Sequence, residues 1–212
     1  MSAGVRVTQC QKPTGWLGRF VLRAMNARHS KVTDWGLSHV SVEKSHTILD
    51  VGCGGGRTVQ KLAALAPEGK VCGVDYSRDS VVFARKINRQ QIDAGRVEII
   101  ESSVSQLPFA ENSFDLVTAV ETHFWWPDIA AGMREILRVL KPGGRLMIIA
   151  EIYKNAPTKM AVLAEKYLPL SGMKLLTADE HRQLLETAGY SDVKISVDPG
   201  KGWITAIGSR PF

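Results

Sequence analysis

Three observations place this sequence in the α/β class, as a mostly parallel sheet with helices on both faces. From Thr47 onward, short apolar strands alternate with amphipathic helices, a pattern that buries a parallel sheet between helical layers. A glycine-rich loop, Asp50-Val51-Gly52-Cys53-Gly54-Gly55-Gly56, joins the first of these strands to the first helix. Near the carboxyl end two alternating strands flank a Pro-Gly turn, and such a hairpin adds one antiparallel strand.

The elements are taken in chain order. Trp16, Leu17, Phe20, Val21, Ala24 and Met25 recur at helical spacing behind a candidate cap at Thr14, so an amphipathic helix docked on its own core is expected there. Strands are expected over 47–51, 70–75, 96–101, 114–120 and 144–151, where apolar runs are short and bounded by turn residues. Helices are expected over 57–66, 78–93 and 128–140, punctuated by Pro67-Glu68-Gly69 and Lys141-Pro142-Gly143-Gly144. The segment from Tyr153 to Leu175 carries no substrate signature, and its Met160, Leu163 and Leu168 read equally as core or lid. Thr177-Ala178-Asp179-Glu180 is a capping-box pattern opening a helix that ends at Gly189. Val193, Ile195 and Val197 then alternate, residues 198–202 turn, and 203–207 return.

The chain has 212 residues, 44% hydrophobic and 23% charged, enough to bury one core without covalent staples. One domain is expected, a helical segment over 1–46 followed by a core over 47–212. No apolar run reaches membrane-spanning length and no signal-peptide pattern opens the chain, so a cytoplasmic location and no membrane partner are expected. Cys10, Cys53 and Cys72 are too few and too widely spaced for a disulfide framework or a tetrahedral zinc site, and no metal is expected. The net charge is +6, but the basic residues are scattered rather than clustered, so nucleic acid is not expected as a partner.

The strand Ile48-Leu49-Asp50-Val51 runs into the glycine loop and then a helix, and ligands gather where such a strand meets the helix amino terminus. Gly52 and Gly54 let a ligand approach the backbone, and free N–H groups at the helix start suit a carboxylate. Val71-Cys72-Gly73-Val74-Asp75 is a second apolar strand ending in an acid about 20 residues beyond the loop, the spacing at which a carboxylate accepts ribose hydroxyls. Both a nicotinamide dinucleotide and S-adenosylmethionine fit this pair. The dinucleotide fingerprint needs its third glycine where this chain has Arg57.

The Gly52, Gly54 and Gly56 spacing resembles the first motif of class I S-adenosylmethionine-dependent methyltransferases. Leu107-Pro108-Phe109, Asn112-Ser113-Phe114-Asp115 and Leu140-Lys141-Pro142-Gly143-Gly144 look like later signatures of its small-molecule and quinone-type branch. The resemblance implies a Rossmann-like fold of seven strands with one antiparallel strand in the C-terminal hairpin. It implies S-adenosylmethionine as cofactor, held by Asp50, Gly52, Cys53, Gly54, Asp75, Tyr76, Ser103, Val104 and Glu121, with Tyr76 packing on adenine. Many relatives carry an acid where this chain has Ser103 and Val104, so the partner of the adenine amino group departs from the family pattern.

On the acceptor side, Glu121-Thr122-His123-Phe124-Trp125-Trp126-Pro127-Asp128 follows the fourth strand. His123 is a candidate base because imidazole titrates near neutrality, and Glu121 is a second candidate, for catalysis or for facing the sulfonium. Thr33 to Gly36 lie where relatives fold a flap. The expected reaction is methyl transfer to a small-molecule acceptor. A nicotinamide-dependent oxidoreductase, a non-catalytic S-adenosylmethionine-binding protein and a methyltransferase acting on RNA or protein remain the alternatives.

Overall fold

The computed structural model describes residues 26–167 and 172–212. The helix expected around Trp16 to Met25 with its Thr14 cap, Cys10 and Leu168 lie outside the described residues. In chain order the elements are α1 (Ser30–Leu37), β1 (Thr47–Val51), α2 (Arg57–Leu65), β2 (Lys70–Asp75), α3 (Arg78–Ile87), α4 (Arg89–Asp93) and β3 (Val97–Glu101). There follow β4 (Phe114–Val120), a 3-10 turn (His123–Trp125), α5 (Ile129–Val139), β5 (Leu140–Ala150), α6 (Lys159–Tyr167), α7 (Ala178–Thr187), β6 (Ser191–Asp198) and β7 (Trp203–Ser209).

The seven strands form one sheet in the order β3-β2-β1-β4-β5-β7-β6. Strands β1 to β5 pair in parallel, and β7 runs antiparallel to both of its neighbours. This is the seven-stranded arrangement that the resemblance implies. The strand order reverses between β1 and β4, and at such a switch point the loops leaving the two strands diverge and open a crevice.

Alternation along each strand sends successive side chains to opposite faces. Leu49, Val117, Leu146 and Ile148 join Met133 and Ile136 of α5 on one face. Ile48, Leu116, Met147 and Ile149 join Val59 and Leu62 of α2 on the other. The residues of these later sequence signatures have a mechanical role as well: the Asp115 carboxylate accepts the Thr47 N–H and the Lys141 ammonium, each at 2.8 Å. Those bonds hold the amino ends of β1, β4 and β5 in register.

Four features differ from the sequence expectation. The helix expected over 78–93 breaks at Asn88, which leaves helical geometry (φ −101°, ψ 11°) while its side-chain amide donates to the carbonyls of Gly56 and Ala84 at 3.0 Å. Strand β5 begins at Leu140 rather than Gly144, because Leu140 pairs with Phe114 ahead of a register irregularity. A helix, α6, occupies part of the segment without a signature. Its Met160 and Leu163 are more than half exposed and are not core; Ala161 and Ala164 form its buried side.

Candidate functional site

The glycine loop leaves β1 through two main-chain bonds, the Gly52 and Cys53 N–H groups donating to the Val74 carbonyl at 2.8 and 2.9 Å. Gly52 has φ +72°, and a Cβ there would lie 2.1 Å from the Thr122 hydroxyl oxygen, so both backbone angle and space demand glycine. Gly56 stands at the amino cap of α2 with φ +75°. A Cβ on it would meet the Ala84 Cβ at 2.8 Å, so this glycine, rather than one at 57, provides the close packing of α2 against α3.

The loop is fastened to the end of β2. One Asp75 carboxylate oxygen accepts the Gly54 N–H and the other the Ser77 N–H, both at 2.9 Å. Each oxygen retains acceptor capacity for a further donor. Burial pushes the Asp75 carboxyl above its ordinary value, and the Ser77 and Gly54 bonds pull it back. Ser77 caps α3 by accepting the Ser80 N–H, so Asp75 is not needed as that cap.

A cavity of about 310 Å³ opens at these strand ends, near the lower bound of small-molecule sites, roughly 300–1,000 Å³. Gly52, Cys53, Gly54, Asp75, Tyr76, Ser103, Val104 and Glu121 all line it, together with Thr122, Trp125 and Trp126. Thr122 is further fixed by the Trp126 indole N–H, which donates to its hydroxyl at 3.3 Å. The Cys53 thiol, also in the lining, is pushed well above its ordinary value by burial, then by the charges of Asp75 and Asp50, which disfavours the reactive thiolate.

Two expected site residues lie elsewhere. Asp50 is buried beneath the loop, outside the cavity lining, where the Thr118 hydroxyl donates to it at 2.7 Å. Burial pushes its carboxyl up to about 7, against the Thr118 bond and with a smaller contribution from Asp75.

His123 is likewise absent from the lining, because the 3-10 turn carries its ring into the interior, 3.0 Å from the Nε2 of His181. The Thr177 carbonyl accepts from His181 Nδ1 at 2.7 Å, which fixes His181 as the Nδ1–H tautomer and leaves its Nε2 to accept from His123. The His123 Nδ1 is then a buried acceptor with no partner. Burial, and next the proximity of His181, push the His123 pKa well below its ordinary value. The ring stands outside the cavity lining, with His181 as its partner.

Sequence reasoning missed the segment that closes the cavity from the amino-terminal side. Asn26, His29, Ser30 and Thr33 line it, and the Asn26 side-chain amide donates to the Gly55 carbonyl at 3.1 Å. Only Thr33 fell within the flap region that the resemblance suggested. Opposite, Glu121 has a left-handed backbone (φ 56°), and its carboxylate accepts the Glu151 N–H. Burial, and then the charge of Glu151, push the Glu121 carboxyl up to about 8.

A family model described as "Methyltransferase domain" matches residues 49–148, the stretch from β1 into β5. The chain is 30% identical over 157 residues to O-methyltransferase cnsE of Penicillium expansum, covering 74% of this chain and 56% of that protein. To a demethylmenaquinone methyltransferase of Listeria welshimeri it is 37% identical over 117 residues, covering 55% of this chain and 49% of that one. The chain thus spans about half the length of these curated relatives. An S-adenosylmethionine-dependent methyltransferase structure from Thermotoga maritima shares the fold with a TM-score of 0.70 at 20% identity, over 89% of this chain and 94% of that one. By its strand order, its glycine loop with Asp75 and these relatives, the chain carries a methyltransferase domain of the class I S-adenosylmethionine-dependent fold.

Proposed function

We propose that this chain binds S-adenosylmethionine in the cavity at the β1–α2 loop and transfers its methyl group to a small-molecule acceptor. The carrying observation is that the glycine loop, Asp75 and the Glu121 wall converge on one cavity at the switch point of the sheet. When bound, the cofactor supplies an activated methyl on a sulfonium. The residues present fit it: Asp75, already oriented by two N–H bonds, accepts the ribose hydroxyls, and Tyr76, Ser103 and Val104 frame the adenine. Trp125 and Trp126 present rings that attract a cation and exclude water from the transfer. Because the sulfonium is a good leaving group, the protein's part is mainly to align the acceptor. Glu121 and His29 are the titratable side chains of the wall facing the glycine loop.

Calorimetry with S-adenosylhomocysteine tests the reading directly. Binding is expected, and Asp75→Ala, checked for folding by circular dichroism, is expected to weaken it by roughly 1–3 kcal/mol through lost charge-assisted hydrogen bonds. Absence of binding at millimolar ligand, or binding of NADH in its place, would overturn the cofactor assignment.

A further inference from the structure

We propose that His29, Glu121 and Glu151 form a site for one divalent transition-metal ion at the wall of the cavity that His29 and Glu121 line. One ring nitrogen of His29 and one oxygen from each carboxylate all lie within 4.8 Å of one another. Ligands on opposite sides of a cation with bonds of about 2.2 Å stand roughly 4.4 Å apart, so small side-chain adjustments complete the set. The three come from separate places: His29 precedes α1, Glu121 follows β4 and Glu151 follows β5. The sheet brings the two glutamates together, since β4 and β5 are paired neighbours, and the segment leading into α1 lays the imidazole across them.

The donor set selects the ion class. One imidazole and two carboxylates suit borderline divalent ions such as Mn²⁺, Fe²⁺ or Zn²⁺, whereas an all-oxygen set would suit Mg²⁺ or Ca²⁺. Two adjacent, largely buried carboxylates repel unless a proton or a cation stands between them, and a bound ion meets that need. Arg28 meets it in part, its guanidinium lying 2.5 Å from Glu151. That side chain is 59% exposed, so the pair is weakly held and an ion displaces the guanidinium into water. Among the described residues no other group of three or more such side chains converges in this way.

The inference departs from the sequence expectation of no metal. It rests on the methyltransferase reading for the role of the ion only, which is to hold an acceptor oxygen beside the transferred methyl and favour its anionic form. Binding itself is independent of that reading.

Mn²⁺ is the probe, because thiols such as Cys53 and Cys72 compete poorly for it. Titrated into the full chain without cofactor, it is expected to lose the paramagnetic resonance signal of the free ion at one equivalent. Glu121→Gln and His29→Gln are each expected to weaken binding by about tenfold or more, and Arg28→Ala to tighten it by roughly threefold. No signal loss at about 1 mM, or an affinity untouched by both ligand substitutions, overturns the site; so does weaker binding in Arg28→Ala, a surface change that spares the fold. S-adenosylhomocysteine calorimetry on the same samples separates the two readings. Cofactor binding without Mn²⁺ binding removes the metal site alone, and Mn²⁺ binding without cofactor binding removes the cofactor assignment alone.

Discussion

Asp50 and Asp75 sit at the carboxyl ends of neighbouring strands and look alike in the sequence. Their surroundings part them: Asp75 faces the cavity with its oxygens oriented by the loop, while Asp50 turns beneath the loop to Thr118. His123 makes the same point from the other direction. Its type and its place after β4 read as a base, but the geometry gives it to His181. His123→Leu is therefore expected to leave S-adenosylhomocysteine affinity unchanged within about twofold, while stranding the His181 Nε2 and costing roughly 1–3 kcal/mol in urea denaturation. A hundredfold loss of methyl transfer in a folded variant would return His123 to the reaction.

Among elements, local signals were legible and distant ones were not. The capping box opening α7 is present as read: Thr177 accepts the Glu180 N–H at 3.0 Å and Glu180 the Thr177 N–H at 2.7 Å. All of its parts lie within four residues, so the sequence contains the whole interaction. Thr177→Ala is expected to lower stability by about 1 kcal/mol, read as a fall in Tm with cofactor affinity retained. The break between α3 and α4 carries no such signal. Asn88 ends α3 by bonding the Gly56 carbonyl, 32 residues away, and only the packing of α2 on α3 creates that partner. The amino-terminal wall was missed for a related reason, since Asn26 and His29 belong to no recognisable pattern until they are laid over the loop.

For the whole molecule, the buried acids couple folding to pH. The carboxyl of Asp50 rises from an ordinary 3.8 to about 7 in the folded chain, so across that window the native state keeps a proton that the unfolded chain releases. Stability contributed by this group therefore falls as pH rises from about 4 to 7, by up to about 1.4 kcal/mol per pH unit, and levels off above. Asp50→Asn cannot release that proton. Its Tm relative to wild type is expected to be higher at pH 8 than at pH 5, and an equal difference at both values would show that Asp50 is ionised in the native state. Glu121 is raised as well, but it is common to both proteins and cancels in the comparison.

The α/β class, most strand positions and the glycine loop with Asp75 were determined by the sequence alone, because they rest on short-range periodicity and on fixed spacings. The side-chain neighbours were decided only in the tertiary structure: Asp50 withdrawn from the cavity, His123 turned to His181, and His29 set against Glu121 and Glu151. Those outcomes depend on contacts between residues tens of positions apart. Burial and orientation at such contacts, which no local pattern encodes, fix what an ionisable side chain does.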